Sequence, residues 1–389
     1  MRPLGARRIG ATLLALLAAS PALAAEPAKR PAPPREKAQA AAPEIVSPEL
    51  PIPSFREMMQ LTPGPSAPQA QPAPEGPVDP NADVAFGAYQ RGFYRQAFEE
   101  ATRRAAANPP DPAAMTLLGE LYANGYFVPR APKLSLDWYG RAAQAGDPKA
   151  MTALALAHLQ GNGGAKDETA AMALFERASE KNEPEALYNL AVLRLERGGS
   201  PQQTAAAARL MKRAAELGEA AAQYAYAALL KEGRGVERDQ SAAAEWMRRA
   251  AEQDDVAALV EYGIMVFNGA GVVKNEAEAA RLFRRAADQG NPIGQNRLAR
   301  LYAYGRGVER DAAKAAAWHK LASRQGLRDP WLEGFAETLQ PEDRAAADAL
   351  VERWSEGFGP VARVAAAPAA SAATSPQPTA AQAPTSAKP

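Results

Sequence analysis

An all-α fold, built as a right-handed solenoid of stacked helical hairpins, is predicted by three features of this sequence. The heptapeptide Gly-Arg-Gly-Val-Glu-Arg-Asp occurs at residues 233–239 and again 72 residues later at 305–311. Halving that spacing gives six consecutive 36-residue frames, opening at Ala113, Lys149, Glu185, Ala221, Ala257 and Ile293. Their columns align: position 7 is always small (Gly119, Ala155, Ala191, Ala227, Gly263, Ala299), and a later column is always alanine (Ala142, Ala178, Ala214, Ala250, Ala286, Ala322). Within each frame, small and apolar residues recur twice at helical spacing. A fixed period of this length is the signature of units that stack on their neighbours, because one hairpin cannot bury its apolar face alone.

The elements follow in chain order. Arg2, Arg7 and Arg8 precede an apolar run at residues 9–19, and Ala22-Leu23-Ala24 supplies small residues for cleavage. Residues 1–24 therefore read as a secretory signal peptide, with a retained N-terminal anchor as the alternative; cleavage leaves no transmembrane span. Residues 25–81 are rich in Pro and Ala and read as a disordered linker, since they bury too little apolar surface to offset ordering entropy. An apolar island interrupts it, with Ile45-Val46, then Pro51-Ile52-Pro53-Ser54-Phe55, then Met58-Met59 and Leu61. It either docks on something or is a transiently structured piece of linker.

Residues 82–112 form a first helical hairpin, and residues 113–328 hold the six frames. In each, the first helix ends at glycine, as at Gly233 and Gly305, where a left-handed cap costs glycine least. The second begins after Asp239, Asn275 or Asp311, whose side chains cap exposed N–H groups. It closes on Gly146, Gly218, Gly290 or Gly326. The pattern Ala-x-x-x-Leu-Gly/Ala-x-Leu-Tyr-x-x-Gly-x-Gly-Val-x-x-Asp, followed by Ala-x-x-Trp-x-x-x-Ala-Ala-x-x-Gly, resembles Sel1-like repeats, relatives of tetratricopeptide repeats with a longer turn. Frames four and six match best, and frame five follows closely. Frame three departs, with Arg197 and Ser200 where Gly and Val are expected, so its turn should differ. The first hairpin resembles a plain tetratricopeptide unit through Gly92, Tyr94 and Ala97.

Residues 329–358 read as a helical cap, a last amphipathic helix whose Leu350, Val351, Trp354 and Phe358 cover the open end of the stack. Residues 359–389 are a second Pro/Ala-rich tail, again disordered. The chain has no cysteine, which excludes disulfides and thiolate metal sites. Residues 82–358 carry a net charge of −2, without the basic surplus of a nucleic-acid binder.

Catalytic patterns are missing. The two histidines, His158 and His319, fall in different repeat columns, the first shared with Tyr122 and Tyr302 and the second with Tyr139, Phe175 and Phe283, and read as structural. Neither a Gly-x-Ser-x-Gly nor a phosphate-binding glycine loop occurs. No cofactor and no metal is expected. What remains is a surface. By analogy with tetratricopeptide geometry, first-helix positions 1, 4, 5, 8, 11 and 12 line a concave groove. Tyr188, Asn189, Tyr224, Glu261, Arg297, Arg300 and Tyr304 are its candidate contacts, a mixture of aromatic anchors and charges suited to a peptide or protein. An ordinary solvated face is the other reading.

The resemblance implies a non-enzymatic scaffold or regulator in cell-envelope signalling or maintenance. With the leader, it points to a periplasmic protein that binds a protein or peptide of the cell envelope. A secreted host-interacting factor and a cell-wall-modifying or β-lactam-hydrolysing enzyme are the alternatives.

Overall fold

The computed structural model describes residues 83–162 and 164–355. The expected leader, linker, apolar island and tail lie outside the described residues. Every regular element among those residues is helical: α1 (Val84–Gln90), α2 (Tyr94–Ala105), α3 (Pro112–Asn124), α4 (Pro132–Gln144), α5 (Pro148–Gln160), α6 (Glu168–Glu180), α7 (Pro184–Glu196), α8 (Pro201–Glu216), α9 (Ala220–Glu232), α10 (Gln240–Glu252), α11 (Val256–Asn268), α12 (Glu276–Asp288), α13 (Pro292–Tyr304), α14 (Ala312–Arg324), α15 (Pro330–Glu337) and α16 (Pro341–Ser355). They belong to two compact units, one ending at Arg197 and one beginning at Gly198. Within each, helices pack on their neighbours in sequence, as expected of an α-solenoid.

The periodic columns are the core. The alanines at 142, 178, 214, 250, 286 and 322 are all fully buried, so second helices approach their neighbours closely. Position 7 is small because an aromatic ring of the second helix lies on it. A Cβ at Gly119 would fall 2.5 Å from Tyr139 Cε1, and one at Gly263 would fall 2.7 Å from Phe283 Cε1. Helix starts are capped as expected: Asp239 Oδ1 accepts from the Ala242 N–H at 2.9 Å, and Asp311 Oδ1 from the Lys314 N–H at 2.8 Å. The first helix of the last repeat stops at Gly305, whose left-handed backbone (φ 70°) turns the chain so that the following Arg306 N–H donates to the Leu301 carbonyl at 3.0 Å.

The second glycine of the turn does a different job. Gly307 also has a left-handed backbone (φ 69°), and a Cβ there would lie 2.1 Å from the Glu276 carbonyl oxygen. Gly271 has the same relation to Gln240, and Gly235 a looser one to Thr204 at 2.7 Å. These three oxygens belong to the first turn or so of the preceding repeat's second helix. Each turn therefore rests, backbone on backbone, on the repeat before it.

Repeat three differs, as its sequence predicts. Here α7 ends at Arg197 in a right-handed conformation, and Ser200 opens α8 with a capping box. Gln203 N–H donates to Ser200 Oγ at 3.3 Å, and Ser200 N–H to Gln203 Oε1 at 2.7 Å. Helix α8 has 16 residues where the other second helices have 13. The turn gives up the residues the helix gains, and the 36-residue period is kept.

Alternate repeats of the second unit carry a buried glutamine clamp. Gln223 Nε2 donates to the Ala215 carbonyl at 3.2 Å and its Oε1 accepts from Gln253 Nε2 at 2.9 Å. Gln295 and Gln325 repeat this on the Ala287 carbonyl, at 3.4 and 2.9 Å.

The cap corrects one expectation. In place of one terminal helix there are two, α15 and α16, broken before Pro341, which has no N–H to continue a helix. Val351 is buried, and Trp354 stacks on Trp318 with ring centroids 4.3 Å apart. Phe358 lies outside the described residues.

Candidate binding surface

The surface is best built from the first helices of each unit separately. In the first unit these are α1, α3, α5 and α7. The Lys149 ammonium on α5 lies 5.8 Å from the centroid of the Phe86 ring on α1, two hairpins away. Side chains of non-adjacent first helices thus meet, so this unit curves with its first helices inward.

Phe86, 43% exposed, starts a row of aromatic rings. Tyr89 follows at 6.2 Å, Tyr94 lies edge-on to Tyr89 at 5.8 Å, and Tyr126 stacks on Tyr94 at 4.4 Å. The row is held from beneath by Glu120, at first-helix position 8. Its carboxylate accepts from the hydroxyls of Tyr89 and Tyr139, both at 3.1 Å, and from Asn124 Nδ2 at 3.0 Å. Burial, then the Glu120 charge, pushes the Tyr89 and Tyr139 hydroxyls above the usual phenol range, so both stay protonated donors.

Of the sequence-predicted contacts in this unit, Tyr188 is only 5% exposed and packs in the interior. The column explains this. Its equivalent Thr116 donates from Oγ1 to Asp147 Oδ2 at 2.7 Å, and Asn296 donates to Asp329 Oδ2 at 2.8 Å. At Thr116 and Asn296, position 4 faces the start of the next first helix and locks hairpin to hairpin. Asn189 is half-buried and uses its amide on the Glu185 carbonyl of its own helix, at 2.7 Å.

In the second unit, Tyr224 shares the position-4 column and is half-buried. Its hydroxyl is pushed up to about 12 by burial and by Glu261, Asp255 and Glu232. Glu261 pairs with Lys231 at 3.0 Å on the same side. Arg297 is exposed. Arg300 and Tyr304 are brought together at the cap. Arg300 holds Asp329 with two hydrogen bonds, 2.7 and 2.8 Å, and its guanidinium lies 5.4 Å from the Trp331 ring centroid. Tyr304, 53% exposed, stacks on Trp331 at 4.5 Å, and Trp331 on Phe335 at 5.7 Å. Burial alone would raise the Asp329 pKa; the hydrogen bonds from Arg300, Asn296 and the Leu332 N–H outweigh it and hold the carboxyl well below the usual range.

The sequence reading missed Phe86, Tyr89, Glu120, Tyr126 and Trp331. Position 8 at Glu120 was already on the groove stripe. Trp331 follows an Asp-Pro pair like those that open α3 and α5, which marks it as the start of another first helix. His319 is buried within 3.4 Å of Ser323 Oγ, and burial lowers its pKa below the usual value, which keeps it neutral. No group of three or more possible metal ligands occurs among the described residues, and none of their helices is long and apolar enough to cross a membrane.

Stacked 36-residue helical hairpins define the helical repeat-solenoid class. The chain belongs to the Sel1 repeat family: residues 112–147, 148–183, 184–219, 220–255, 256–291 and 292–327 each match a Sel1 repeat, more than half of the sequence. A Sel1 repeat protein from Oxalobacter formigenes has a similar structure, 28% identical with a TM-score of 0.55, covering 62% of this chain and 98% of that one. A protective antigen of uropathogenic Escherichia coli with an SLR fold is 26% identical with a TM-score of 0.47, covering 73% of this chain and 69% of that one. No curated protein matches significantly. Sel1 repeats mediate protein–protein interactions, and the fold is generally a scaffold rather than a catalytic framework.

Proposed function

We propose that this protein is an exported, non-enzymatic scaffold of the periplasm that binds a peptide or protein of the cell envelope through its first-helix surface. The observation that carries the binding role is the pairing of exposed aromatic rows with charged rims on the first helices: Phe86 with Lys149 in one unit, Tyr304 and Trp331 with Arg300 in the other. Aromatic and arginine side chains dominate binding energy at protein interfaces, and these rings are held rigidly enough to cost little entropy on binding. Export is supported by the basic and apolar leader at residues 1–24.

The test joins fractionation to crosslinking. The full chain should appear in the periplasm without residues 1–24. Crosslinking in the envelope fraction should trap a small set of proteins, which the Tyr304→Ala/Trp331→Ala variant or the Phe86→Ala variant should no longer trap. Recovery from the medium would replace the periplasmic reading with a secreted one. An unchanged set from both variants, each still fully helical, would remove the first-helix surface as the binding site.

A further inference from the structure

The aromatic row of the first unit has an occupant close by in the same chain. The described structure opens at Asp83, one residue before the helix that carries Phe86 and Tyr89. The segment preceding it contains the apolar island, and the part at residues 44–53 reads Glu-Ile-Val-Ser-Pro-Glu-Leu-Pro-Ile-Pro. Pro48, Pro51 and Pro53 favour the left-handed polyproline helix, with three residues per turn. In that form Pro48 and Pro51 share one edge and Leu50 and Pro53 the next, giving two adjacent apolar edges. Such ridges dock on rows of aromatic rings, because the ligand is already extended and loses little entropy.

The platform matches this chemistry. Phe86, Tyr89, Tyr94 and Tyr126 form a partly exposed row whose successive ring centroids lie 4.4 to 6.2 Å apart. Tyr89 is fixed in orientation by Glu120. The charges are complementary: Lys149 stands over Phe86 and Arg91 is exposed on the same hairpin, while residues 44–53 carry Glu44 and Glu49 and no basic residue. A tether of this length holds the segment at an effective concentration on the order of mM, enough for a weak motif to occupy the site.

We propose that residues 44–53 dock on the Phe86–Tyr89–Tyr94–Tyr126 row of their own chain, so that an outside ligand must displace them. The assignment stands independently of export, because the segment follows the leader. It is tested with a fluorescent synthetic peptide of residues 43–56, titrated into the full chain and into the full chain lacking residues 44–55. The deleted chain should bind the peptide at least about tenfold more tightly than the intact one, since the tethered competitor is gone. In the deleted background, Phe86→Ala and Lys149→Glu should each weaken binding by about tenfold, with the helical circular dichroism unchanged. In the intact chain, Pro48→Ala/Pro51→Ala should raise peptide binding toward that of the deletion. Equal binding to intact and deleted chains would overturn the proposal and leave the row to a proline-rich segment of another protein. Absence of binding to the deleted chain, or binding indifferent to Phe86 and Lys149, would overturn it as well.

Discussion

The turn of the first repeat and the turn of the last adopt the same left-handed backbone at the same place with opposite residues. Phe127 sits at φ 65° and Gly307 at φ 69°. Phe127 has room for its side chain: the ring packs 5.5 Å from Phe98 and under the guanidinium of Arg95 at 5.4 Å. Gly307 has none, because the Glu276 carbonyl occupies the place of a Cβ. Backbone conformation alone therefore does not require glycine in this turn. The close seat of one repeat on the next does.

The sharpest way to break this contrast is Gly307→Ala. The contact must open, and the array should lose about 3 kcal/mol or more in the transition that includes α12 to α14, read by urea denaturation followed by helicity. Gly305→Ala is the control, with the same φ but its nearest contact at 3.2 Å. It should cost only about 1 to 2 kcal/mol, the ordinary penalty of a left-handed alanine. Equal losses would refute the close-approach account. Gly235→Ala, with its looser 2.7 Å contact, should fall between the two, at about 2 kcal/mol.

Phe127→Gly should do less. Relief of the left-handed strain offsets the lost packing on Phe98, and the net change should stay within about 1 kcal/mol in either direction. A loss of several kcal/mol would show that Phe127 is a core residue rather than a tolerated one.

The smallest effect concerns the side chain at the Gly307 seat. Arg306 Nε donates to the Glu276 carboxylate at 3.2 Å and Lys274 pairs with it at 3.1 Å; these hydrogen bonds hold its pKa down to about 2. A depressed carboxylate stabilises the fold fully above its ordinary pKa and loses that contribution as pH falls through the depressed value. The difference in melting temperature between wild type and Glu276→Gln should be small at neutral pH and vanish near pH 2. A difference that persists there would mean that the amide disturbs the backbone seat itself.

Much of this was legible in the residues. The alanine column and the small position 7 each recur six times, and an Asp or Asn caps four of the six second helices; each has one physical cause acting within a hairpin. Tyr188 was not legible as an interior residue. A first helix in a solenoid is covered by its own partner and by helices before and after it, so helical spacing leaves two faces that both look amphipathic. Only the neighbour's position distinguishes the groove from the seam, and Thr116 and Asn296 reveal the seam through their bonds to the next helix start. The shortened turn of repeat three was half visible: Arg197 and Ser200 announced a change, while the capping box of Ser200 and Gln203 fixed its length. The second cap helix was signalled by Pro341, which a single amphipathic pattern concealed.

The alternating glutamine clamps bear on how such an array avoids folding out of step. Near-identical hairpins invite a chain to pair one repeat with the wrong neighbour, a trap to which repeat proteins are prone. Gln223 and Gln295 sit where the intervening repeat has Leu259, buried and apolar. A slip by one repeat would set the buried amide in a seat occupied by leucine and leucine in a seat occupied by the amide. A slip by two would meet a glutamine again. The clamps thus make the most accessible error in the second unit an expensive one, and they set 72 residues, the spacing of the duplicated heptapeptide, as the smallest step by which this stretch repeats itself without penalty.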